Sequence, residues 1–185
     1  DDADQAAWGG EISGNYWTGL IELAYSLNDD ELIRKAASWV DAALKNQRDD
    51  GYLGTFDPDK DDIYADYNAW GTACGMRGLL AFYEATKRAD VLKAVHRCML
   101  WFCKYWTGEK KTSYAGPYII EPMVFCYYHT GDRRLIDFAE EYAEFLCGHD
   151  IFKTSYKAFL QEPLEYNSNH TAGMGTQSRL PAHLY

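Results

Sequence analysis

The chain contains no apolar run near the roughly 18 residues that a membrane helix needs, no basic tract longer than a pair such as Lys110 and Lys111, no basic and apolar leader at its start, and no C-x-x-C pair. Each absence removes a class of function. Asp and Glu number 28 against 18 Lys and Arg, a formal net charge of -10 that argues against nucleic acid and against anionic membrane surfaces. The expected partner is a neutral molecule. The five cysteines, Cys74, Cys98, Cys103, Cys126 and Cys147, are odd in number and widely spaced, with no His at metal-ligand spacing. Four fall within or beside apolar helical stripes, where a free thiol behaves as a small hydrophobe. Neither a metal site nor any other cofactor is expected from these residues themselves.

What is present is a chain of 185 residues, 47% hydrophobic and 16% aromatic, enough for a single all-α domain spanning 1–185 with a sizeable core. Trp8 to Gly14 reads as a turn-rich lead-in. From there the apolar positions recur at helical spacing in six segments. The first helix, Asn15 to Leu27, carries Trp17, Leu20, Ile21 and Ala24, and the second carries Leu32, Ile33, Ala36 and Val40 on one face behind an N-cap at Asp29 or Asp30. A third, from about Asn68 to Thr86, is apolar on much of its circumference, and a fourth, after a turn at Arg88 to Asp90, is amphipathic. Pro117 suits the first turn of a nearly unbroken apolar fifth helix. The turn Thr130 to Asp132 starts an amphipathic sixth, which Gly148 is expected to end. A seventh is expected to begin near His170.

The segments pair as three helical hairpins, with short turns inside each and longer loops between them. DDELIRKAASWVDAAL, ADVLKAVHRCMLWF and GDRRLIDFAEEYAEFL hold the same place in each unit, an internal repeat. The apolar first, third and fifth helices should form an inner layer and the amphipathic ones an outer layer, as in an α/α toroid. Alternation then gathers the longer loops at one rim, beside the N-termini of the inner helices, where carboxylates and sugar hydroxyls are favoured.

Several residues are candidates for a carbohydrate site there. Glu11 and Asp50 are carboxylates that would flank a glycosidic bond, although Asp50 beside Gly51 is equally a turn former. Tyr52 and Tyr67 would stack on sugar faces, whereas Trp17 and Trp70 match the core stripes. Asp66, Tyr67 and Asn68 either point at the rim or cap the third helix. Tyr114 belongs to the loop KTSYAGPYIIEP, and His170 would donate to a ligand or cap a helix. Glu121, inside an apolar helix start, must be paired, capping or facing a cavity. His96 and His129 read as structural.

The succession WGGEISGNYW, LKNQRDDGYLGT, YADYNAWGTACGMRGLLAFYEAT and YYHTGDRRL resembles the N-terminal half of the β-L-arabinofuranosidase-like glycoside hydrolases, glycoside hydrolase family 127 and its relatives. Gln47, Asp50, Gly51, Tyr52, Leu53, Gly54 and Thr55 form the most specific part of the match. The resemblance implies an (α/α)6 barrel, of which this chain carries about half, and an oligosaccharide or glycoside substrate of plant type. It also implies a zinc-bound cysteine nucleophile with Cys and Glu ligands and a separate Glu acid. That apparatus belongs to the later half of the family's barrel and is not visible in these residues. Two sugar-contacting histidines of relatives would fall near Tyr67 or Asn68 and near Pro117, so those contacts are not reproduced in kind. The alternative reading is a non-hydrolytic toroid, a sugar epimerase or a carbohydrate-binding or scaffold module. A half toroid exposes the flank that a seventh helix would cover, so self-association or pairing with the rest of a barrel is expected.

Overall fold

The computed structural model describes residues 2–56, 66–106 and 116–149, together with 182 and 184. Among them are six α-helices and no strand: α1 (Asp2–Leu27), α2 (Asp30–Lys45), α3 (Asp66–Thr86), α4 (Ala89–Tyr105), α5 (Ile120–Thr130) and α6 (Arg133–His149), with a 3-10 turn at Gly116–Ile119 leading into α5. None of these helices is long and apolar enough to cross a membrane.

The three hairpin turns are built alike. Each places one residue in the left-handed region, Asn28 (φ 52), Lys87 (φ 55) or Gly131 (φ 68), immediately after an inner helix. The chain can then double back in two residues. The amides of Lys87 and Gly131 return to Tyr83 O (2.6 Å) and Tyr127 O (2.7 Å), and that of Asp29 returns to Ala24 O (3.0 Å). Asp29 then caps α2, its Oδ1 accepting from the amides of Glu31 (2.9 Å) and Leu32 (3.0 Å). In the second and third turns a threonine does equivalent work. Thr86 and Thr130 donate to Phe82 O (2.7 Å) and Cys126 O (2.8 Å) and accept from the amides of Arg88 and Asp132.

Helices α1, α3 and α5 form one layer and α2, α4 and α6 the other, with α3 at the centre in contact with α1, α2, α4 and α5. α3 buries Trp70, Ala73, Cys74, Met76, Leu79 and Phe82. The outer helices bury one face each, Ala36 and Val40 on α2 and Val91, Val95, Cys98 and Phe102 on α4. These are the helical hairpins of an α/α toroid, as the apolar periodicity requires.

The expectation that Trp8 to Gly14 forms a turn-rich lead-in is corrected: the segment lies inside α1. Its glycines are not breakers but contact points. A Cβ on Gly10 would stand 2.9 Å from the Gly71 Cα, and one on Gly14 would stand 2.4 Å from the Cys74 carbonyl carbon. No side chain fits between α1 and α3 there, so tertiary packing overrides glycine's low helix propensity. Gly148 likewise does not end α6, which runs through it to His149. Tyr114, His170 and most of the expected seventh helix lie outside the described residues.

Candidate functional site

The stretch from Gln47 to Thr55 follows α2 and is fastened to the neighbouring helices. Gln47 Nε2 donates to Gly51 O (2.9 Å) and to Ala94 O on α4 (2.7 Å). Arg97 of α4 answers with Nη1 to Gln47 Oε1 (3.2 Å) and Nη2 to the carbonyls of Arg48 (3.1 Å) and Asp49 (2.8 Å). Gly51 has φ 102 and lies so close to α4 that a Cβ would stand 2.8 Å from Arg97 O, so only glycine satisfies both conditions. Asp50 Oδ1 accepts the Tyr52 amide (3.0 Å) and lies 3.5 Å from Arg48 Nε. Of the two readings of Asp50, this geometry is that of the turn former.

Tyr52 and Asn68 are seated in the core. Tyr52 is 3% exposed and its ring packs on Trp101, with centroids 4.9 Å apart, so it presents no face to a sugar. Its hydroxyl donates to Asn68 Oδ1 (2.7 Å), which also accepts from Thr72 Oγ1 (3.0 Å). Burial pushes the phenol well above its usual range. Both expectations of sugar contact are therefore replaced by a buried polar lock between the loop and α3. Asp66 and Tyr67 begin α3, and their side chains lie outside the described residues. Trp70 is core, beside Tyr118. Trp17 stacks on Trp39 of α2 at 5.0 Å, which accounts for it structurally. His96 binds Asp132 (2.7 Å) and His129 binds Glu84 (2.5 Å), both ties between elements.

The structure does bring Glu11 and Glu121 into one neighbourhood. Glu121, in the first turn of α5, forms an ion pair with Arg77 of α3, the two side chains being 14% and 23% exposed. One turn before Arg77, the Cys74 thiol feels the charges of Arg77, Glu11 and Glu121 together. Carboxylates from α1 and α5 thus both act on one thiol of α3, and the α5 carboxylate is paired with an arginine of that helix. Arg77 Nε is buried with no acceptor among the described residues. The cluster is set not in the rim loops but about three turns along α3, some 16 Å from its first residue at 1.5 Å per residue. Sequence reasoning missed Arg77. Its signal was present: it is the single cation in α3, between Asp66 and Glu84 in an otherwise uncharged helix.

This layered α/α architecture, with carboxylates on its inner face, suits a glycoside hydrolase. The family model described as "Beta-L-arabinofuranosidase, GH127 catalytic domain" matches residues 2–183. The chain belongs to the GH127 catalytic-domain family. It is accordingly a glycoside hydrolase of β-L-arabinofuranosidase-like type, with a glycoside as its class of substrate. A comparison with curated proteins found no match.

The zinc that the GH127 resemblance implies does not fit the described residues. No three His, Cys, Asp or Glu side chains gather among them as a ligand set. Cys74, Cys98 and Cys126 are buried, and burial pushes their thiols up to about 11, 12 and 12.

Proposed function

We propose that the inner face of α1, α3 and α5 is the sugar-binding wall of this GH127 glycosidase, with Glu11 and Glu121 accepting hydrogen bonds from hydroxyls of an arabinofuranoside-type glycone. The observation that carries the reading is the Glu121–Arg77 ion pair between two inner helices, with the charges of Glu11 and Glu121 both acting on the Cys74 thiol of α3. Ionised carboxylates are acceptors only, and a sugar ring offers donors on several sides. Partly buried carboxylates on rigid helices bind such donors more selectively than exposed ones. Binding, not bond cleavage, is the role assigned to both residues. Asp50 takes no part, because its carboxylate completes the turn at Tyr52. The zinc of the complete enzyme, in this reading, is held by residues other than the described thiols.

Hydrolysis of an aryl β-L-arabinofuranoside by the full-length protein is the test. Glu11→Gln and Glu121→Gln are each expected to raise KM on the order of tenfold while retaining measurable turnover, the cost of removing a charged acceptor. Unchanged KM in both variants would remove the inner face from the substrate site. Absence of hydrolysis in the unaltered protein on arabinofuranosides would overturn the substrate class.

The face of α1 turned away from α3 exposes Ile12 (67%), Tyr16 (51%), Leu23 (51%) and Leu27 (63%). In the same proposal this apolar stripe pairs with further hairpins of the barrel. The 185-residue chain alone is then expected to self-associate in sedimentation at micromolar concentration, and a stable monomer would argue against that pairing.

A further inference from the structure

We infer that Arg77 is a positioning residue for substrate binding, acting through Glu121. The inference rests on the reading that Glu121 contacts the sugar. Arg77 and Glu121 come from different inner helices, so their ion pair fixes a carboxylate on α5 relative to α3. Other arginine pairs in the molecule are mostly more open: Arg133 and Asp137 are 69% and 58% exposed, against 23% and 14% for Arg77 and Glu121. An exposed pair exchanges readily with water, whereas a covered one holds a side chain in place.

The chain neighbours of Glu121, Ile120 and Pro122, are buried and apolar, so its carboxylate leaves an apolar stretch of α5 to meet Arg77. The guanidinium itself is fixed on one edge. Its Nη2 meets Glu121 Oε2, while Nε lies buried, so turning the planar group would break the contact with the carboxylate. A glutamate has three side-chain torsions to order before it can accept a hydroxyl in a defined direction. Arg77 orders them before the sugar arrives, which is preorganisation of the binding group.

The experiment is a double-mutant cycle on the full-length enzyme with an aryl β-L-arabinofuranoside. Arg77→Gln is expected to raise KM on the order of tenfold with kcat changed less than about threefold. In a Glu121→Gln background the same change should cost little more, because the residue it positions is already disabled. Arg77→Lys keeps the charge but loses the fork, and is expected to restore KM only in part. If the two losses multiply, Arg77 acts independently of Glu121 and the inference is wrong. It is equally wrong if Arg77→Gln leaves KM unchanged while Glu121→Gln raises it. Should Arg77→Gln fail to fold, Arg77→Lys decides: wild-type KM refutes positioning, and a raised KM coupled to Glu121→Gln supports it. An unchanged KM in Glu121→Gln itself sinks the underlying sugar-site reading, a result distinct from the others.

Discussion

Tyr52 reaches from the loop after α2 into the core and donates its phenolic proton to Asn68 Oδ1 on α3 over 2.7 Å, both side chains being almost wholly buried. Tyr52→Phe keeps the ring against Trp101 and removes the hydroxyl with its hydrogen bonds to Asn68, Thr72 and the Phe56 backbone. It should destabilise the protein by about 1–2 kcal/mol, since the buried amide oxygen loses a donor. KM for the glycoside should stay unchanged. Urea unfolding and steady-state kinetics check both halves, and a large KM effect at unchanged stability would return Tyr52 to the sugar site.

Two glycines of α1 should respond in opposite directions to alanine. At Gly14 a new methyl would meet Cys74 atoms at 2.4–2.7 Å, and α1 would have to move away from α3. A loss of about 1–3 kcal/mol is expected despite alanine's better helix propensity. At Gly19 nothing lies within 4 Å, so Gly19→Ala should stabilise by up to about 1 kcal/mol. Thermal unfolding of the two variants beside the parent gives the comparison.

Asp132 should carry part of the acid sensitivity. The Arg134 hydrogen bonds, aided by His96, hold its carboxyl well below the ordinary range. A carboxylate lowered in the folded state contributes stability above its unfolded value of about 3.9, and that contribution is lost as pH falls toward the folded value. Asp132→Asn should therefore be less stable than the parent at pH 7 and should lose less on going to pH 3. Parallel declines of the urea midpoint in the two proteins would show that Asp132 contributes nothing to it.

The buried thiols should be silent in the native state. With its thiol raised to about 11, Cys74 is ionised to only about one part in a thousand at pH 8, and Cys98 and Cys126 less. Alkylation followed by mass spectrometry should label these three only after denaturation. Rapid labelling of any of them in the folded protein would contradict the packing.

The helices were readable because their cause is local. The apolar stripes of α2, α4 and α6 follow from periodicity, and Asp29 announces its own cap. Where contact between distant segments decides, the sequence misleads. Gly10 and Gly14 look like helix breakers unless Gly71 and Cys74 are known to lie against them. Tyr52 and Asp50, in a polar aromatic loop, have the composition of a sugar site, but Arg97, 47 residues after Asp50, pulls that loop onto α4. Glu11 and Glu121 were visible as carboxylates in places needing a reason. Arg77, which relates Glu121 to α3, was passed over as one charge in an apolar helix.

Glu11 sits between Gly10 and Gly14 in sequence, on the part of α1 that approaches α3 without intervening side chains. The distance from this carboxylate to α3 is thus gauged by two missing methyl groups. A variant that restored either would act as a shim, widening the gap from which Glu11 reaches its ligand without altering any group that touches the sugar.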